Sequence, residues 1–127
     1  NPLVTQPTLG LSLNNVNALT SSQTQATLTM TVSDEDKQLD MVTFRIEYDH
    51  RFLAPVGAYQ PRQVQGSSTL AYIDVDAPSR EQISVQFQKG TKGKKILENA
   101  SQTQKTLSIA VSGNKVSPKT IPITVSY

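Results

Sequence analysis

The residues with the clearest potential for chemistry lie together at positions 49 and 50, where the single histidine follows an aspartate. A nucleophilic triad needs a serine or cysteine activated by a base that a third group orients. Serine is plentiful, but the chain has no cysteine and no Gly-x-Ser-x-Gly turn to present a serine. We therefore interpret His50 as a solvated residue at the end of a strand. Asp49 is interpreted as an acceptor of backbone hydrogen bonds that fix a corner.

An acidic turn at residues 33–40 could supply oxygen ligands to Ca²⁺ through Asp34, Asp36 and Asp40. The turn lacks the glycine at the sixth position and the terminal glutamate of the EF-hand loop, and Lys37 lies inside it. The pattern favours a plain surface turn between two strands. We therefore predict no cofactor, with calcium at these three aspartates as the alternative.

Two further carboxylates, Asp74 and Asp76, are separated by one residue in an alternating run. Glycoside hydrolysis needs a pair of acids in a cleft, one of them held protonated by its surroundings. Period-two spacing instead places both side chains on one outward face of a strand, where water solvates them. We therefore predict that the chain is not an enzyme.

A sugar-binding platform presents aromatic rings, usually tryptophan or tyrosine, to the faces of pyranose rings. The chain has no tryptophan, and only Tyr59 and Tyr72 fall outside the inward-facing sets of the alternating runs. Carbohydrate binding through these two rings is kept as an alternative function.

The overall charge excludes several classes of partner. Twelve basic and ten acidic residues give a formal net charge of +2, and the only basic cluster lies at residues 89–95. A nucleic-acid binder would show a basic face interleaved with aromatic residues, so we predict no nucleic-acid partner. We interpret the cluster as a solvated loop, with an anionic contact site as the alternative. No apolar run is long enough to cross a bilayer.

Strands account for most of the chain, because apolar residues alternate with polar ones in short runs rich in β-branched side chains. Seven such runs cover residues 9–13, 26–32, 42–48, 71–75, 83–87, 107–111 and 121–127. Turn-forming residues separate them, and residues 55–68 are the longest stretch without alternation. Only residues 96–104 could form one helical turn. The pattern predicts an all-β, two-sheet antiparallel sandwich, a single domain over residues 1–127 that we expect to be part of a larger protein.

One segment carries a family resemblance: Met41-Val-Thr-Phe-Arg-Ile-Glu-Tyr-Asp-His-Arg-Phe-Leu53. It resembles the strand and corner of cohesin domains, where F-x-F-x-L-x-Y-D-P-x-x-L-E-V is typical. The order of the other runs is similar as well. The resemblance implies a jelly-roll sandwich of about nine strands that has no catalytic activity. It also implies a flat sheet face that binds a dockerin-type protein, in a bacterial extracellular, cell-surface or periplasmic setting.

The segment departs from cellulosomal cohesins at three positions. Met41 and Thr43 stand where those cohesins often carry Asn and Asp, and His50 replaces the proline of the corner. The chain is therefore not a typical cellulosomal cohesin.

The candidate partner-binding face consists of the outward side chains of the central runs, which we expect to share one surface. These residues are Thr43, Arg45, Glu47, Tyr72, Asp74, Ser84, Gln86 and Ser108. Tyr72 and Arg45 are the candidate anchors, because interface energy is concentrated in aromatic and arginine side chains. Besides carbohydrate binding, the remaining alternative is a structural spacer in an adhesin, pilus or secretion component.

Overall fold

The structure, a computed structural model, describes residues 6–14, 19–20, 24–35, 39–78, 81–113 and 116–127. Strands dominate these residues, as the alternation predicts. They are β1 (Thr8–Leu13), β2 (Gln25–Ser33), β3 (Met41–Asp49), β4 (Leu53–Val56), β5 (Arg62–Gln63), β6 (Leu70–Pro78), β7 (Ile83–Lys89), β8 (Gln102–Val111) and β9 (Lys119–Ser126), with one helical turn, α1 (Gly93–Ile96).

The strands form two antiparallel sheets, one of four strands in the order β1-β2-β7-β4 and one of five in the order β5-β6-β3-β8-β9. β3 lies at the centre of the five-stranded sheet, paired with β6 on one side and β8 on the other. The predicted all-β jelly-roll sandwich of about nine strands is confirmed.

The core lies between the sheets and is built from the alternate residues of each strand. Phe44, Ile46 and Tyr48 of β3 are fully buried. The Tyr48 ring packs edge-to-face against the ring of Phe87, which belongs to the opposite sheet, with the two ring centres 5.5 Å apart. Each side chain of this size contributes roughly 1.5–3 kcal/mol when buried. The inward positions read from the alternation therefore hold the two sheets together.

The chain turns sharply after β3, and Asp49 fixes this corner. Asp49 Oδ1 accepts hydrogen bonds from the Arg51 backbone N–H at 3.1 Å and from Arg51 Nε at 2.9 Å, while Oδ2 accepts from Arg51 Nη2 at 2.7 Å. Lys105 Nζ lies 3.5 Å from Oδ2, and the Phe52 N–H closes the turn on the Asp49 carbonyl. The prediction that Asp49 accepts a backbone hydrogen bond at a corner is confirmed.

Burial by itself would raise the pKa of Asp49, but the Arg51 hydrogen bonds and the charges of Arg51 and Lys105 outweigh it. The pKa of Asp49 is therefore below its usual value. The carboxylate is held in its charged form where the chain re-enters the core at Leu53.

Two strands, β4 and β5, gave no alternation signal in the sequence. β4 has four residues and pairs with β7, and β5 has two and pairs with β6. Both lie at the edge of a sheet, and β4 contains Pro55, which an edge strand tolerates because it needs no hydrogen bond on its outer side. Strands this short carry too few residues to show a period.

The prediction of a helical turn within residues 96–104 is wrong in its position. The turn is α1, Gly93–Ile96, and β8 already begins at Gln102. Gly93 lies against the rings of Phe52 and Tyr127, where a side chain would collide, and this contact places the turn. Within the described residues, no helix has the length and apolar character to span a membrane.

Candidate functional site

The outer side of the five-stranded sheet carries charged, aromatic and hydroxyl-bearing side chains on neighbouring strands. We call it the charged face, and it consists of the outward side chains of β3, β6 and β8. Its residues are Thr43, Arg45, Glu47, Tyr72, Asp74, Asp76 and Ser108. The strand registers place Arg45 opposite Asp74, Thr43 opposite Asp76, and Glu47 between Tyr72 and Ser108. Six of the eight predicted partner-binding residues therefore share one surface.

Arg45 stands at the centre of the charged face and binds Asp74 through two parallel hydrogen bonds. Arg45 Nε lies 2.9 Å from Asp74 Oδ1, and Nη2 lies 3.1 Å from Oδ2. The guanidinium also lies 4.1 Å from the centre of the Tyr72 ring. The ring and the carboxylate together hold the long arginine side chain in one position, which lowers the entropy that a partner must remove on binding.

The pKa values of Arg45 and Asp74 both shift in the direction that favours the charged pair. The hydrogen bond to Asp74 raises the pKa of Arg45, and the hydrogen bond from Arg45 lowers the pKa of Asp74. The charge of Arg62 on β5 lowers the pKa of Asp74 further. Both partners stay half exposed, so water screens the pair and its contribution to stability is small.

Three hollows surround the Arg45–Asp74 pair on the charged face. One of about 330 Å³ lies towards Tyr59 and Arg62, and two of about 320 and 300 Å³ lie along the β8 side of Arg45. Beside them the Thr43 hydroxyl donates to Asp76 Oδ1 at 2.5 Å. A protein partner could seat side chains on both sides of the arginine.

Ser84 and Gln86 do not belong to this surface, and the expectation that they would share it is wrong. Both lie on β7, which pairs with β2 in the four-stranded sheet, and the Ser84 hydroxyl lies 3.1 Å from that of Thr29. Alternation tells which side chains point outward, but it does not tell which sheet a strand joins. The connection between β6 and β7 crosses from one sheet to the other.

The outer side of the four-stranded sheet differs in chemistry, and we call it the neutral face. Its outward strand positions carry hydroxyl and amide groups without charge. These residues are Thr8, Ser12, Thr27, Thr29, Thr31, Ser84, Gln86 and Gln88. The two faces of one sandwich therefore offer a partner different surfaces.

The acidic turn contributes one carboxylate to the fold. Asp34 is buried and accepts the Leu39 N–H at 2.7 Å, whereas Asp40 is exposed. Asp36 lies outside the described residues. Across the described parts of the chain, no three acidic or histidine side chains are grouped closely enough to hold a metal. The calcium alternative for this turn stays a prediction.

Sequence reasoning missed an open cleft of about 600 Å³ where the β4 edge of one sheet faces the β5–β6 edge of the other. Its walls include Leu53, Pro55 and Tyr59, and His50 and Arg62 lie among its polar lining. His50 Nε2 lies 3.1 Å from the Ser68 carbonyl oxygen, and this hydrogen bond links the corner after β3 to the segment before β6. The available signal was residues 55–68, a long stretch without alternation that contains an aromatic residue.

Comparison with known proteins gives no match among family profiles or curated sequences. Among solved structures, the chain is similar to the cohesin module of a family 33 glycoside hydrolase from Clostridium perfringens ATCC13124. The TM-score is 0.54 at 8% identity, and the match covers 97% of this chain and 98% of that one. The fold of this chain is cohesin-like. A chain from a cohesin–dockerin complex, CaDoc0917 with CaCohA2, gives a TM-score of 0.50 at 12% identity, covering 92% and 99%.

These identities are low, so the likeness establishes the fold of the cohesin-like domain and nothing finer. It confirms the resemblance read from residues 41–53. That segment forms β3, the corner at Asp49 and the start of β4. In this cohesin-like domain the residues that suggested the family also build the centre of the charged face.

Proposed function

We propose that this cohesin-like domain is a non-catalytic module that binds a dockerin-type protein through the charged face, in a bacterial extracellular or cell-surface setting. The observation that carries the proposal is the Arg45 side chain, which its contacts with Asp74 and Tyr72 hold in one position at the centre of a sheet face. An arginine ordered in advance beside an aromatic ring is the kind of group that concentrates binding energy.

The second observation in support is the likeness to a chain from a cohesin–dockerin complex. The fold presents a five-stranded sheet whose outward residues include two acids that Arg45 does not pair with, Glu47 and Asp76. A partner surface with both basic and acidic groups would complement this arrangement, because opposite charges must meet across the interface. Hydroxyl groups at Thr43 and Ser108 add neutral polar contacts.

The function is tested by titrating a panel of purified dockerin modules against the wild-type domain by calorimetry. We expect at least one module to bind with saturation. Arg45→Glu should then weaken that binding about 100-fold, because it puts a repulsive charge beside Asp74 and removes the anchor. Gln86→Glu places a glutamate on the neutral face and serves as the control, with unchanged affinity.

Two outcomes would contradict the proposal. If no dockerin module binds, the partner class is wrong. If a module binds and Arg45→Glu has no more effect than Gln86→Glu, the charged face is not the interface.

Carbohydrate binding is the second candidate, since Tyr59 and Tyr72 border the same hollow on the charged face. The Arg45 guanidinium covers one side of the Tyr72 ring, which makes that side unavailable to a pyranose and favours the protein partner. Amide NMR shifts at Tyr59 and Tyr72 on addition of oligosaccharides would instead support the sugar. A structural spacer should bind neither dockerins nor glycans.

A further inference from the structure

The segment between β7 and β8 places a large exposed hydrophobic side chain among lysines. The described residues leave two large hydrophobic side chains exposed, Met41 at 58% and Ile96 at 46%. Lys92, Lys94 and Lys95 are exposed beside Ile96, and none of the three forms an ion pair with another described residue. Positive charge and an apolar side chain are therefore offered to solvent at the same place.

The single turn of α1 separates these side chains from the core. The Leu97 N–H donates to the Gly93 carbonyl at 2.9 Å, Gly93 is buried, and Leu97 packs against the core. A helix has 3.6 residues per turn, so positions 93 and 97 lie on one side of it and positions 92, 95 and 96 on the other. Lys92, Lys95 and Ile96 therefore share the side that is turned away from the core.

The turn is fixed to the body of the sandwich. A side chain at Gly93 would collide with the rings of Phe52 and Tyr127, and one at Gly90 would collide with the Arg51 carbonyl. The Gly90 N–H donates to the Phe52 carbonyl at 2.6 Å, and the Tyr127 hydroxyl donates to the Gly90 carbonyl at 2.7 Å. Because the turn is held in this way, a partner does not have to order it on binding.

Positive charge continues around the turn. Lys105 Nζ lies 4.4 Å and the Arg51 guanidinium carbon 5.4 Å from the centre of the Phe52 ring. We call this part of the domain the basic end, and its cations are Arg51, Lys89, Lys92, Lys94, Lys95 and Lys105. It holds six of the twelve basic residues of the chain but, with Asp49 and Glu98, only two of the ten acidic ones, a net charge of +4. All other residues together have a net charge of −2, so the charge of the chain is concentrated at the basic end.

The two exposed chemistries of the basic end restrict its partner. Unpaired lysines attract any anion, which is the alternative that the sequence left open for residues 89–95. A soluble anion, however, leaves the Ile96 side chain in water. A bilayer of anionic lipid meets both needs, because its phosphates attract the lysines and its acyl boundary removes an apolar side chain from water.

We infer that the basic end binds the surface of an anionic lipid bilayer. Ile96 lies at the boundary between headgroups and acyl chains, and Lys92 and Lys95 lie among the phosphates. This contact goes beyond the proposed protein-binding function and uses none of the residues of the charged face, so a domain bound to lipid could still bind a protein partner.

The first experiment is sedimentation of the wild-type domain with vesicles of phosphatidylcholine that contain about one third phosphatidylglycerol. We expect saturable binding, and much weaker binding to pure phosphatidylcholine. Lys95→Gln should weaken binding about 5-fold, and Lys92→Gln combined with it about 25-fold, since each lysine near an anionic surface contributes a similar amount. Ile96→Ser should weaken it about 5-fold, because about half of this side chain is free to leave water.

Two matched controls carry the same changes elsewhere on the surface. Met41→Ser removes the other exposed large hydrophobic side chain, at the start of β3, whereas the basic end adjoins the end of that strand. Lys119→Gln removes an exposed lysine at the start of β9, the strand whose other end pairs with Gln102 near the basic end. Both controls should bind the anionic vesicles as the wild type does. Losses equal to those of Ile96→Ser and Lys95→Gln would overturn the inference.

A second experiment distinguishes lipid from a soluble polyanion. The chain has no tryptophan, so Ile96→Trp and Met41→Trp each introduce a single fluorescent reporter. Anionic vesicles should shift the emission of Ile96→Trp to shorter wavelength and leave that of Met41→Trp unchanged, whereas inorganic polyphosphate should shift neither. The inference is wrong if the anionic vesicles do not bind, if pure phosphatidylcholine binds equally well, or if vesicles leave the Ile96→Trp emission unchanged. The dockerin titration does not affect this result, since it concerns the charged face.

Discussion

Two arginine–carboxylate pairs in this domain have the same two-pronged geometry but differ in burial. At the corner after β3, Arg51 grips Asp49 with contacts of 2.9 and 2.7 Å, and the Asp49 side chain is only 10% exposed. On the charged face, Arg45 grips Asp74 with contacts of 2.9 and 3.1 Å, and the two side chains are 50% and 41% exposed.

The difference in burial assigns the pairs to different tasks. Removing one partner of a buried pair leaves an uncompensated charge, so a buried pair is part of what holds the fold. An exposed pair contributes little to stability, because water already satisfies both groups. The corner pair should therefore hold the chain in place, and the face pair should hold Arg45 ready for a partner.

The largest expected effect is a difference in stability between variants of Asp49 and of Asp74. Asp49→Asn should lower the free energy of unfolding by about 2 kcal/mol, because Arg51 and Lys105 then lack their counter-charge at a nearly buried site. Asp74→Asn should lower it by less than about 0.5 kcal/mol. Urea unfolding followed by circular dichroism measures both variants. Equal losses would show that burial does not distinguish the pairs.

Lowering the pH should reduce the stability of the fold mainly by protonating Asp49 at the corner. The pKa of Asp49 is lower in the folded chain than the value of about 3.9 of an unfolded aspartate, so ionised Asp49 stabilises the folded state. That contribution is fully present above about pH 4 and is lost as the pH falls through the lowered folded value. The stability of wild type and Asp49→Asn, measured by urea unfolding at a series of pH values, should therefore converge in acid. A gap between them that stays constant down to about pH 2 would refute the assignment.

The smallest effect is expected on the charged face. A double-mutant cycle with Arg45→Gln and Asp74→Asn should give a coupling free energy below about 0.5 kcal/mol, and salt at about 1 M should abolish it. Thermal unfolding of the four proteins measures this coupling. A coupling of about 2 kcal/mol would instead make the face pair a structural element like the corner pair.

Much of the fold could be predicted from local pattern. Phe44, Ile46 and Tyr48 are inward in the structure because a strand alternates its side chains between two faces whatever its neighbours are. The corner was also predictable, since Asp49 makes its main contacts with residues next to it in the chain.

Sheet membership was not predictable in the same way. Ser84 and Gln86 alternate as Tyr72 and Asp74 do, yet they lie on the other side of the sandwich. The cleft was equally hidden, because its walls come from four strands and the segments between them. Contacts between residues far apart in the chain depend on how strands are ordered, and local period carries no record of that order.

The sequence alone therefore determined the inward and outward side of each long strand, the Asp49 corner and the likeness to cohesins, because these depend on neighbours within a few residues. The tertiary structure alone decided that the Arg45 guanidinium contacts both Asp74 and Tyr72, that Ser84 and Gln86 face away from them, and that a cleft opens between the β4 edge and the β5–β6 edge. These depend on strand pairing, in which hydrogen bonds and packing join residues that the chain itself keeps apart.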